Sequence, residues 1–164
     1  MNLIKNKITK IIFVHTLFWI GVWFFYLYFF SYNSNDRNYI IWFSTLILPV
    51  TILMTYIMIY YLIPRYLLTK KYWKFGLYTF YTIIITSNII VPLIFGSFIF
   101  ISNFNLTHMP PMSKNIVFVI IMVYLIVGVV SFVNILNQNF NTISRNNELQ
   151  HTIMKNQLKL KEKE

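Results

Sequence analysis

The sequence predicts an all-α integral membrane protein. It reads as a four-helix bundle with both termini on the cytoplasmic side, followed by a C-terminal cytoplasmic helix able to form a coiled coil. Three observations predict it. Of the 164 residues, 57% are hydrophobic and only 11% are charged, against about a quarter charged in an ordinary soluble domain. The apolar residues gather into four runs, about 11–31, 39–62, 75–101 and 116–136, none of which holds an Asp, Glu, Lys or Arg. Each run is long enough to cross a hydrocarbon core of roughly 30 Å as a helix. The basic residues are distributed unequally between the runs. Lys5, Lys7, Lys10, Arg65, Lys70, Lys71, Lys74, Arg145, Lys155, Lys159, Lys161 and Lys163 fall on one side, and only Arg37 and Lys114 on the other. Cytoplasmic segments carry the excess of Lys and Arg, so twelve against two places both termini inside.

The elements follow in order. Met1–Lys10 is short and basic, and the run from Ile11 ends in Y-L-Y-F-F-S-Y. That run is too long for a secretory signal and lacks a small-residue cleavage site, so it is expected to stay as the first span. Ser31–Asn38 is a polar turn with Asp36 and Arg37, and Tyr39–Leu62 is the second span, with Pro49 as a candidate kink. Tyr60–Phe75 reads Y-Y-L-I-P-R-Y-L-L-T-K-K-Y-W-K-F. Four cations without an acid make it a cytoplasmic hairpin, and Tyr60, Tyr61, Tyr66, Tyr72 and Trp73 suit the half-wet headgroup layer. Pro64 is expected to end the incoming helix, because proline lacks the N–H and disfavours helical geometry at Ile63. The third span, 75–101, contains Asn88 and Pro92; Ser102–Asn115 is the largest outer loop; the fourth span is 116–136. Two domains are expected, a transmembrane domain over 1–136 and a cytoplasmic helix over 137–164. The latter has good helix formers and no Gly or Pro.

Composition also excludes chemistry. The net charge of +10 arises from short basic blocks between apolar runs, which suits a bilayer with anionic headgroups and not a nucleic acid. With no cysteine, disulfides, Cys-ligated metal and thiol redox chemistry are excluded, including that of a quinone-linked thiol oxidoreductase. Proton- or cation-coupled carriers use an ionisable group near the midplane, and no span offers one. There is no Gly-rich phosphate loop, no carboxylate cluster and no local triad, so no catalytic residues and no cofactor are expected.

Four groups of residues remain as candidates. His15 and Trp19 lie four apart on one helical face, and Asn88 sits in the third span; these are candidates for intramembrane sensing or interhelical packing. His108, Met109 and Met112 place three soft donors in five residues of the outer loop. Such donors suit copper(I), but Pro110 and Pro111 between them read more simply as turn stiffeners, and no metal is expected. Asn146, Leu149, Ile153, Asn156 and Leu160 are spaced 3, 4, 3, 4, a short heptad seam through which Leu149, Ile153 and Leu160 would pair two chains.

The fourth group is the basic hairpin, and it carries a family resemblance. His15, Phe18 and Trp19 in the first span, with L-I-P-R-Y-L-L-T-K-K-Y between the second and third, resemble the membrane region of LytS/YehU-type sensor histidine kinases, especially those of Bacteroidetes. The matched hairpin positions are Leu62, Ile63, Pro64, Arg65, Tyr66, Lys70, Lys71 and Tyr72. The resemblance implies a sensor and dimerisation region of a two-component system in the bacterial inner membrane. It would form a homodimer, with the terminal helix leading to a kinase core. The family's Q-I-N-P-H-F-L-F-N phosphoacceptor box and ATP-binding domain do not follow here, and His151 in H-T-I-M does not match that box. The 164 residues are therefore expected to be inactive alone as a kinase, and a response regulator is a partner only where the core is present. The alternative is a small membrane protein acting as a scaffold or regulator.

Overall fold

The computed structural model describes residues 2–32, 34, 36–105 and 108–161, and every regular element among them is helical. Helix α1 spans Asn2–Phe30, α2 Arg37–Ile57, α3 Tyr72–Phe100, α4 Pro111–Lys114 and α5 Ile116–Lys161; a π-helical segment, Met58–Leu67, continues α2 without a gap. Four stretches are long and apolar enough to cross a membrane: Ile12–Phe30, Arg37–Leu67, Tyr72–Phe100 and Ile116–Lys155. The all-α, four-helix, multi-pass membrane architecture predicted from the apolar runs is the one observed.

The starts and stops have local causes. Asp36 caps α2, its Oδ1 accepting the Tyr39 N–H at 3.1 Å, and so satisfies one of the donors that a helix start leaves free. Pro111 opens α4 at the position where a missing N–H costs nothing. Pro49 and Pro92 lie inside α2 and α3 and end neither.

Pro64 does not end the second span either, contrary to expectation. Helical structure runs through it to Leu67 in the wider π form. Proline removes a single donor, and bonds of i to i−5 spacing carry the segment past it: the Leu68 N–H reaches the Ile63 carbonyl at 3.0 Å and the Lys71 N–H reaches the Tyr66 carbonyl at 2.9 Å. The true stop is at Lys70, which takes φ 59°. Its N–H bonds the Leu67 carbonyl at 3.1 Å. Together with the Lys71–Tyr66 bond this makes a Schellman stop with lysine where glycine is usual. A side chain in left-handed backbone costs roughly 1–2 kcal/mol. Lys70→Gly is therefore expected to stabilise the protein by about 1 kcal/mol, seen as a raised unfolding midpoint in detergent.

By its internal contacts the chain divides into two units, Met1–Val127 and Gly128–Glu164. In the first, α1 and α2 run antiparallel, with Trp19 opposite Tyr56, Tyr26 opposite Thr51 and Phe30 opposite Phe43. The core is aromatic: Tyr26, Phe30, Tyr39 and Phe43 are fully buried, and Phe30 meets Phe43 edge-on at 5.0 Å. Hydroxyl pairs tie the helices. Tyr26 shares a hydrogen bond with Thr51 at 2.7 Å, Tyr39 with Ser97 at 2.7 Å, and Tyr124 with Thr86 at 3.0 Å and Thr82 at 3.1 Å. The second unit is the rest of α5, exposed along 139–155.

Candidate functional site

A cleft between α1 and the end of α2 with its π extension brings polar and aromatic side chains together. Ile12, His15, Thr16 and Trp19 form one wall, on a single face of α1 by their 3- and 4-residue spacing. Tyr56 and Tyr60, also four apart, form the other. The cleft is shallow and open along one side, with a volume of about 520 Å³. Its aromatic lining is ordered: Trp19 and Tyr56 meet edge-on at 6.2 Å, and Tyr56 and Tyr60 stack at 5.7 Å.

Its polar groups are unevenly satisfied. The Thr16 hydroxyl donates to the Ile12 carbonyl of its own helix at 2.9 Å. The Trp19 Nε1–H is covered by protein and has no acceptor. His15 is exposed and makes no hydrogen bond to the described residues. A second open hollow of about 600 Å³ shares Tyr56 and Tyr60 with the first; its other lining residues, Pro49, Ile52, Leu53, Ile57 and Tyr61, all lie on one face of α2 and its π extension.

The remaining candidates lie elsewhere. Asn88 is exposed on α3, and its Nδ2 donates to the Ile84 carbonyl of its own helix at 2.8 Å, so its amide is used locally. In the hairpin, Leu62 and Ile63 are buried, whereas Arg65, Lys70, Lys71 and Tyr72 are exposed. Arg65 lies over the Tyr61 ring at 5.2 Å and donates to its hydroxyl at 3.1 Å, which fixes the cation on an aromatic face. Tyr60 and Trp73 are well exposed, as headgroup-layer rings should be, but Tyr66 is not. Tyr66 turns inward and stacks on Tyr78 of α3 at 4.7 Å, because the π turn carries it to the packed side of the helix.

In the 102–115 loop, the His108 Nδ1 lies 3.2 Å from the Asp36 Oδ2, linking the loop to the start of α2. Met109 is buried and Met112 half-buried. No group of three or more His, Asp or Glu among the described residues is placed to hold a metal ion. Leu149 and Ile153 are exposed on α5; the Leu160 side chain lies outside the described residues.

The spacing of His15 and Trp19 was legible as one face of α1. The sequence marks Tyr60 only as a headgroup aromatic and does not single out Tyr56, since nothing local marks two rings some forty residues away as the opposite wall. The chain matches no protein-family model, no curated protein and no solved structure.

Proposed function

We propose that this chain is the membrane sensor and dimerisation region of a two-component histidine kinase, lying in the bacterial inner membrane with both termini in the cytoplasm. The observation that carries the reading is α5. It has 46 residues, more than twice the roughly 20 a bilayer crossing needs, and it passes from an apolar stretch into a polar one with no turn assigned between them. Helices are among the elements through which a change at one site is carried to another. The hairpin resemblance and the twelve-to-two distribution of basic residues support the same reading. A stimulus would repack the four helices, the fourth would move, and its extension would pass the movement to a kinase core. Leu149 and Ile153, apolar and exposed on a polar helix, support pairing of two chains there.

Crosslinking tests this in native membranes, where the absence of cysteine gives a clean background. Single cysteines at Leu149, Ile153 and Leu160 are expected to give covalent dimers, and cysteines at Thr152 and Gln157 are not. Equal crosslinking at all five positions, or none, would leave the scaffold or regulator reading in its place. Serine at the three seam positions together is expected to abolish self-association of the tail.

A further inference from the structure

We infer that the contact between His108 and Asp36 is a pH-dependent latch, which holds the 102–115 loop on the start of α2 in acid and relaxes that hold as the pH rises. The two residues are 72 apart in the sequence, and the His108 Nδ1 lies 3.2 Å from the Asp36 Oδ2. Imidazole is the side chain whose charge ordinarily changes between about pH 5 and 8. Protonated, it makes a charge-assisted bond to an ionised carboxylate; neutral, it has at most one plain N–H to offer. The contact is therefore strongest with the imidazole charged and the carboxylate ionised, and it weakens as the imidazole loses its proton. The His108 ring is exposed, so protons reach it directly from the aqueous phase.

No other group at this end of the molecule takes over either role. The turn 31–38 and the loop 102–115 hold five titratable side chains, Tyr32, Asp36, Arg37, His108 and Lys114, of which Asp36 is the one acid and His108 the one imidazole. Arg37 and Lys114 are exposed, and His108–Asp36 is the single ion pair among the described residues. Of the neighbouring tyrosines, Tyr28 and Tyr32 are exposed, and Tyr39 is buried with its hydroxyl on Ser97. What the latch holds is a strained strap. Asn103 and Phe104 take φ 49° and 61° in succession, left-handed backbone that a phenylalanine rarely adopts. Farther along, Met109 and Ser113 are buried. Such strain persists only where surrounding contacts over-determine the path, and His108 stands between the strained residues and the buried ones. A half-exposed ion pair shifts an equilibrium by about fivefold at most. That is small against global unfolding but readable in the opening of one loop.

The latch stands whether or not the chain is a sensor; only calling acidity a stimulus rests on that reading. The two fail separately: tail crosslinking without a pH response in the loop leaves the sensor reading and removes the latch, and the converse result leaves the latch. Hydrogen exchange of the full chain in phosphatidylcholine nanodiscs, read at about pH 5.5 and about pH 8, is the test. The reporting amides are Phe104 and Ser113, whose N–H groups bond the Phe98 and Pro110 carbonyls at 3.1 Å each. Asp36→Asn keeps a helix cap and removes the charged acceptor. It leaves the loop sequence unchanged, so intrinsic exchange rates cancel against the wild type at each pH. At the lower pH the loop amides of Asp36→Asn are expected to exchange about fivefold faster than those of the wild type, and at the higher pH the two should agree within about twofold. His108→Gln keeps a donor without the charge and should match Asp36→Asn at both pH values. His151→Gln, in the exposed tail, should behave as the wild type does. The same ratio of rates at both pH values overturns the inference, and so does a ratio to Asp36→Asn that still changes with pH in His108→Gln. Interior amides of α2 and α3 that lose protection as much as the loop does would mean general loosening, which overturns it as well.

Discussion

Phe43→Ala is expected to destabilise the protein by about 2–3 kcal/mol, because it empties the centre of the aromatic core. Phe43 is fully buried, meeting Phe30 edge-on at 5.0 Å and stacking with Tyr39 at 5.6 Å. In a soluble core the loss would be about 3–5 kcal/mol, the sum of a transfer term and a cavity term. In a bilayer the transfer term shrinks. An unpacked helix still lies among lipid tails as apolar as the core, so what remains is lost dispersion contact and the void. The lower figure follows from that difference. Phe80→Ala is the comparison: its ring is 61% exposed on α3, and its truncation is expected to change stability by less than about 0.5 kcal/mol. Reversible unfolding of both variants in mixed detergent micelles checks the contrast. Equal losses would mean that Phe43 is not a packed core residue.

That contrast shows why the four helices were legible in the sequence while their buried faces were not. Charge-free runs of about twenty residues or more identify a span whatever surrounds it, so the four crossings and the helical tail could be read directly. Which side of each span faces protein is another matter. Phe43 is fully buried and Trp42 is 60% exposed, yet both are aromatic, because lipid and core ask for the same chemistry. Apolar periodicity carries no contrast under those conditions. The signal that does carry it is the small hydroxyl residues. Ser44, Thr51 and Thr55 are all buried on one side of α2, and Thr86 and Ser97 on one side of α3. Tyr26, Tyr39 and Tyr124 come from facing helices to bond Thr51, Ser97 and Thr86. Seven- and eleven-residue spacings of Ser and Thr would have located these faces. The error at Pro64 has a different origin. Local propensity at one residue was set against a helix already held by its neighbours, and a π turn with a stop at Lys70 resolves the conflict. The cleft was half legible for the same kind of reason: four-residue spacing joins His15 to Trp19, whereas only the antiparallel packing of α1 on α2 brings Tyr56 to meet them.

Asp36→Ala is expected to cost about 2 kcal/mol, because one side chain there serves two elements. Its Oδ1 caps α2 through the Tyr39 N–H, and its Oδ2 holds His108 of the 102–115 loop at 3.2 Å. Loss of the cap alone costs about 1 kcal/mol, and loss of the loop contact adds about as much again, since a hydrogen bond to a charged group is worth more than a neutral one. The cap has a further consequence in packing. Tyr39 is fully buried and bonds Ser97 of α3 at 2.7 Å, so a frayed start of α2 also loosens its hold on α3. Asp36→Asn separates the contributions. Asparagine caps a helix as well as aspartate does, and its one carbonyl oxygen can serve the Tyr39 N–H but not His108 as a charged partner. It is expected to lose only about 1 kcal/mol. His108→Ala should lose the same amount, and adding it to Asp36→Asn should cost almost nothing further, since both remove one contact. Unfolding midpoints of the two single variants and the double variant check this. Additive losses would mean that Asp36 and His108 act on stability separately, and the loop would then be held to α2 by something other than this pair.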